Sequence, residues 1–133
     1  MTLITPLISD TELYALIMRK EKDGFDYLYD KYCGLLYGLT LQSLCLKKYS
    51  DEIIELTFIN ICNAIHLYPG QQMKLNIWII SVLIQTTKDY LDSKSINYTF
   101  VSGNFPLFIF RLKEEESVSL AHSSDTGAVM IGV

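Results

Sequence analysis

The sequence lacks the features that would mark a membrane protein or a broad nucleic-acid binder. Its 133 residues hold 11 Lys and Arg against 15 Asp and Glu, a net charge of −4. Sequence-independent affinity for nucleic acid depends on cations that neutralise phosphates, so only a small local site is compatible with this composition. The longest nearly apolar run, residues 77–84, is far below the ~20 residues of a membrane span. We expect neither a membrane partner nor a signal peptide, because the N-terminus has no basic start.

Cysteine and histidine are scarce and poorly spaced for chemistry. Cys33, Cys45 and Cys62 show no CxxC spacing, and no His lies at zinc-ligand spacing from them. We interpret them as reduced, buried thiols in a cytoplasmic protein. The sequence also lacks a glycine-rich phosphate loop, a nucleophile elbow and any usable His–carboxylate or Cys–His pair. It therefore predicts no metal, no cofactor and no enzymatic activity.

Apolar residues at helical spacing are what the sequence does contain. Half of the residues are hydrophobic, which is enough for a core in a single domain. Ser9 followed by Glu12 is a capping-box pattern that predicts the start of a first helix. The spacing predicts four helices, at about residues 10–19, 24–47, 51–67 and 73–94. The last is apolar around most of its circumference, which is typical of a helix at the centre of a small bundle.

Beyond residue 95 the hydrophobic period changes from helical to two, which indicates strands. Apolar residues alternate within three short stretches, NYTFVS, PLFIFRL and SVSLA, and the final GAVMIGV is a further candidate. Gly103-Asn104 and the acidic run 114–116 are the expected turns. The predicted fold is mainly α: a compact bundle of about four helices over residues 1–95, with a small β-rich C-terminal extension over residues 96–133.

Three stretches, read together and in order, resemble a known family. They are ELYALIMRKEKDGFDYLYDKYCGLLYGL, DEIIELTFINICNAIHLY and NIWIISVLIQTTKDYLDSKS. They resemble region 2 of the sigma-70 family of RNA polymerase sigma factors, and the extracytoplasmic-function (ECF) type in particular. The resemblance covers roughly residues 10 to 95. The residues in register are Phe25, Tyr32, Phe58, Trp78, Asp89, Tyr90 and Leu91.

The resemblance implies a helical domain with two working helices. In that family one helix binds the clamp helices of the RNA polymerase β′ subunit, and the next opens the promoter and reads the −10 element as single-stranded DNA. An anti-sigma factor is a further possible partner. The implied polymerase-binding residues are Glu55, Phe58, Asn60 and Asn63. The implied DNA-binding residues are Trp78, Gln85, Thr86, Lys88 and Tyr90.

The chain departs from the family pattern at several working positions. Leu56 replaces a charge, Asn60 and Asn63 fall where Lys and Arg are common, and Ile84 with Gln85 replaces an Arg-Asn pair. Residues 96–133 are too few and too β-patterned for the family's C-terminal helix-turn-helix domain.

Two functions stay open on this basis. The first is a transcription initiation domain that binds core polymerase and the −10 element. The second is a degenerate sigma-like module that binds a protein partner without reading DNA. The fourth helix is apolar where a DNA-facing helix should be polar, and an apolar surface needs a cover. Under the second function we expect the β-rich tail to fold back on that helix.

Overall fold

The computed structural model describes residues 8–113, and within them four α-helices precede a two-stranded antiparallel sheet. The predicted fold class, mainly α with a small β-rich C-terminal part, is confirmed. The elements are α1 (Asp10–Met18), α2 (Lys22–Leu41), α3 (Ser50–Ala64), α4 (Leu75–Ser93), β1 (Tyr98–Ser102) and β2 (Phe108–Leu112). Short 3₁₀ turns cover Leu44–Tyr49, Ile65–Leu67 and Gly70–Gln72.

The first helix begins with the predicted capping box. The hydroxyl of Ser9 accepts from the amide of Glu12 at 3.1 Å, and the Glu12 carboxylate accepts from the Ser9 amide at 3.1 Å. These bonds satisfy two amides that the first helical turn leaves without partners. At the other end α1 packs tightly on the start of α2, where a Cβ on Gly24 would lie 2.6 Å from the Cβ of Leu16. Glycine is needed there for the close approach.

The second helix ends earlier than the sequence predicts, at Leu41 instead of about residue 47. The apolar pattern continues through Leu46, which is buried, and this continuity misled the prediction. Ser43 instead takes an extended conformation, and its buried hydroxyl accepts a hydrogen bond from the amide of Phe110 at 2.8 Å. A contact with β2, 67 residues away, therefore coincides with the break in the helix.

The fourth helix contributes more buried positions than any other element described. Nine of its 19 residues are buried, and Ile79 and Leu83 are fully enclosed. Thr87 is also buried, and its hydroxyl donates to the carbonyl of Leu83 at 2.8 Å. This bond removes the cost of an unpaired polar group in the interior.

The β-hairpin follows α4 in the chain and packs against the helical bundle. Phe100 pairs with Phe110 in the antiparallel register, and Phe108 and Phe110 join the core with 3% and 1% of their surface exposed. The predicted strands in NYTFVS and PLFIFRL are confirmed. The predicted turn at 114–116 and the strands in SVSLA and GAVMIGV lie outside the described residues. The boundary at residue 95 stays a prediction.

The hairpin reaches back to one part of the fourth helix. The Lys88 ammonium lies 4.3 Å from the centre of the Phe100 ring, within the range of a cation–π contact. Ile79 and Leu83 of α4 are fully buried in the same core that Phe108 and Phe110 of β2 join. The expectation that the β-rich tail covers α4 stays a prediction, because the Lys88–Phe100 contact reaches only one position of the helix and residues 114–133 lie outside the described residues.

Candidate functional site

A groove between α2 and α3 is the candidate site. It is a shallow depression of about 510 Å³ that opens widely to solvent, and we call it the α2–α3 groove. The side chains that line it are Phe25, Asp26, Leu28, Tyr29, Phe58, Ile59, Cys62 and Asn63. The N-terminal half of α2 supplies one wall and the C-terminal half of α3 supplies the other.

The walls of the groove are apolar and partly open to solvent. Tyr29 is 50% exposed and Ile59 is 48% exposed. The rings of Tyr29 and Phe58 meet across the groove with 4.9 Å between their centres, a distance typical of favourable aromatic pairs. The neighbouring Cys33 thiol, one turn later on α2, raises the pKa of Tyr29.

The groove carries no activated nucleophile. Burial raises the pKa of the Cys62 thiol, which keeps it protonated, whereas a reactive cysteine needs its thiolate. Within residues 8–113 no group of three or more His, Cys, Asp or Glu side chains could hold a metal ion.

The helices around the groove are acidic. Together α2 and α3 carry six acidic side chains against two basic ones. One of the two, Lys22, is engaged with Asp26 at 2.7 Å, and that hydrogen bond raises the pKa of Lys22. On α3 an exposed stripe runs along residues 55, 59 and 63 at helical spacing, with Ile59 as its apolar member.

Three of the four residues assigned to polymerase binding lie at or beside this groove. Phe58 and Asn63 line it, and Glu55 is exposed one turn before Ile59. Asn60 does not, because it turns towards α4, where its side-chain amide donates to the hydroxyl of Thr86 at 3.0 Å. Asn60 is thus placed to join two helices.

Three of the five residues assigned to DNA binding lie in the interior. Trp78, Thr86 and Tyr90 are 8%, 4% and 5% exposed. Trp78 packs on Tyr68 with 5.7 Å between ring centres, and the hydroxyl of Tyr90 donates to a carboxylate oxygen of Glu52 at 2.6 Å. Side chains engaged in this way present little surface to a base.

The other two residues of that set lie on the outer face of α4. Gln85 is exposed, but its amide donates to the carboxylate of Asp89 at 3.0 Å. Lys88 is half-buried over the ring of Phe100. Asp92 follows on the same face. Two carboxylates beside one lysine make a poor match for the negative charge of a DNA strand.

Sequence reasoning misses two residues of the groove, Tyr29 and Ile59. Tyr29 gives no distinct signal, because it is one of four tyrosines on α2. Ile59 gave a usable signal, because it is an apolar residue on the otherwise polar stripe of α3. A single exposed apolar residue is ordinary on a protein surface, so this signal becomes specific only once the structure places Ile59 in the groove beside Phe58.

Comparisons with known proteins add no family. No protein-family model, no curated protein and no solved structure matches the chain. The resemblance to sigma region 2 consequently stays a prediction from the residues. In the part of the chain that the structure describes, no helix has the length and apolar character needed to cross a membrane.

Proposed function

We propose that the chain is a sigma-like protein-interaction module that binds a helical partner in the α2–α3 groove. The observation that carries this proposal is the groove itself, where Tyr29 and Ile59 bring half-exposed apolar surface to opposite walls. An apolar groove between two helices suits the apolar face of an amphipathic helix. Aromatic and apolar anchors near the centre of an interface supply most of its binding energy.

The acidic charge around the groove indicates the charge of the partner helix that would fit there. Acidic side chains dominate α2 and α3, so a helix whose apolar stripe is flanked by Lys and Arg would meet complementary charge. Such complementarity favours fast association and selects against acidic partners. The resemblance implies a helical partner, the clamp helices of the RNA polymerase β′ subunit.

We do not propose that the chain reads promoter DNA. Trp78, Thr86 and Tyr90 are engaged inside the protein, and the outer face of α4 presents Asp89 and Asp92 beside Lys88. Losing even a few phosphate contacts lowers DNA affinity by orders of magnitude at physiological salt. The proposal is therefore the degenerate module that binds protein without reading the −10 element.

The test is binding of the purified full chain to a β′ clamp-helix fragment, measured by calorimetry with and without single-stranded −10 DNA. Ile59→Lys places a charge on the apolar wall, and we expect it to weaken binding by roughly tenfold or more, as for a central interface residue. Glu55→Lys reverses a rim charge, and we expect a several-fold loss that shrinks as salt is raised.

The matched control is Leu44→Lys. Leu44 is an apolar residue that is 78% exposed and does not line the groove, so the same chemical change there should leave affinity within about twofold. Equal losses in Ile59→Lys and Leu44→Lys would contradict the assignment of the groove. Capture of −10 DNA by the complex would support the promoter-reading function instead. Absence of clamp binding would rule out the polymerase clamp helices as the partner.

A further inference from the structure

The two edges of the β-hairpin differ in how their backbone groups are used. In an antiparallel pair, residues alternate between those that exchange hydrogen bonds with the opposite strand and those whose N–H and C=O point outward. The amide of Gly103 donates to the carbonyl of Leu107, and the amide of Lys113 donates to the carbonyl of Asn97. In this register the inward-bonded residues of β1 are 99 and 101, and residues 98, 100 and 102 point outward.

The outer edge of β2 is occupied by the bundle. The amide of Phe110 donates to the hydroxyl of Ser43 at 2.8 Å, and its carbonyl accepts from the thiol of Cys45 at 3.2 Å. Both outward groups of this residue therefore have partners in the segment that follows α2. These two bonds also confirm the alternation, because they leave Phe110 no group to share with Phe100.

The outer edge of β1 has no such cover among the described residues. Within residues 8–113 no hydrogen bond joins the outward backbone groups of Phe100 to another residue. Thr99, Val101 and Ser102 are exposed, Val101 by 44% of its surface. An unpaired strand edge is a template for a further strand unless charge, proline or a bulge protects it.

The sequence of β1 carries none of those protections. Its five residues, YTFVS, hold no charge and no proline, and β-branched and aromatic residues dominate them. Such residues favour extended structure. The edge is also self-complementary: antiparallel pairing about Phe100 places Phe100 opposite Phe100 of a second copy, Tyr98 opposite Ser102, and Thr99 opposite Val101. No like charges meet across the strands of this pairing.

We propose that the open edge of β1 pairs with β1 of a second copy of this chain. The product is a continuous four-stranded antiparallel sheet with a two-fold axis at Phe100. Phe100 exchanges two hydrogen bonds with its counterpart, and each Tyr98–Ser102 pair exchanges two more, which is the pattern of strand addition at a sheet edge. This inference is independent of the α2–α3 groove, because the hairpin supplies none of the side chains that line the groove.

The test is the mass of the full chain by sedimentation from about 10 µM to 1 mM, with amide hydrogen exchange measured on the same samples. We expect dimers to accumulate with concentration and the Phe100 amide to become protected in parallel. Ser102→Pro removes two of the intermolecular bonds, because the Ser102 amide points outward, and an edge strand tolerates proline there. We expect it to weaken the dimer by about tenfold or more.

Val101→Lys supplies a second variant that does not alter the backbone. It places a charge beside Thr99 of the second copy and should also weaken the dimer, whereas Ile109→Lys puts the same charge on the same face one strand further away and should weaken it less. A monomer with an unprotected Phe100 amide would overturn the proposal. So would a concentration-independent protection in a monomer, which would mean that residues 114–133 cover the edge, or a dimer that all three variants leave unchanged.

Discussion

Helices α3 and α4 were both assigned working roles from the sequence, and they use their polar and aromatic residues in opposite ways. On α3 the residues at 55, 59 and 63 face outward, and Ile59 and Asn63 line an apolar groove. On α4 the indole of Trp78 and the hydroxyls of Thr86 and Tyr90 are directed into the protein. Aromatic and polar residues suggested a binding role for α4 from the sequence. In the structure these residues stabilise the fold.

The difference has a physical origin in the position of the two helices. Helix α4 is buried on most of its circumference, so its polar groups must find partners inside or pay the cost of burial. Thr86 meets Asn60, and Tyr90 meets Glu52, and both partners lie on α3. Asn60 and Glu52 on α3 are thus engaged with α4, while Ile59 and Asn63 on the same helix remain available to another protein.

Among the substitutions that test the contrast between α3 and α4, the one at Trp78 should have the largest effect on stability. If its indole is a core residue, Trp78→Ala should lower the free energy of unfolding by about 3–5 kcal/mol, the usual cost of deleting a large buried aromatic side chain. Gln85→Ala, on the exposed face of the same helix, should change it by less than about 0.5 kcal/mol. Urea unfolding followed by circular dichroism measures both. Similar small changes in the free energy of unfolding of the two variants would mean that Trp78 contributes little to stability and is available to bind a ligand.

A second prediction concerns the tyrosines that bind the start of α3. Burial and the hydrogen bond to Glu52 raise the pKa of Tyr90 to about 12, and the hydrogen bond to Asp51 raises that of Tyr37 to about 12. A raised folded pKa contributes stability that is complete below the ordinary value of about 10 and is lost as the pH rises through 12. We expect the free energy of unfolding to fall over this window.

The control for that window is removal of the hydroxyls. Tyr90→Phe and Tyr37→Phe should each lower stability at pH 7 by about 1 kcal/mol, the net value of one hydrogen bond. They should also flatten the decline between pH 10 and 12, since phenylalanine does not ionise. Chemical unfolding at a series of pH values measures the slope. An unchanged slope in the double variant would show that other groups carry the alkaline transition.

Local signals in the sequence account for most of the fold. The capping box at Ser9, the four apolar periodicities and the change to a period of two after residue 95 all describe contacts between near neighbours, and these elements are present. The end of α2 could not be predicted in the same way. Leu46 continues the apolar pattern, while the break at Ser43 accompanies a bond from Phe110 that no local window contains.

The candidate site was harder to predict than the fold. The sequence places Phe58 and Asn63 on α3 but gives no measure of which side of the helix meets α4. Asn60 and Asn63 are three residues apart and chemically identical, yet one faces a neighbouring helix and the other a groove. Only the packing of α3 against both α2 and α4 separates them.

Substitutions of the two asparagines test that separation directly. Asn60→Ala leaves the buried hydroxyl of Thr86 without its donor and should lower the free energy of unfolding by about 1–2 kcal/mol. Asn63→Ala should change it by less than about 0.5 kcal/mol but should weaken binding of the clamp-helix fragment. In a double-mutant cycle with Thr86→Val, Asn60 should show a coupling of about 0.5–1.5 kcal/mol and Asn63 none. The reverse pattern would assign the outer face of α3 to the wrong asparagine.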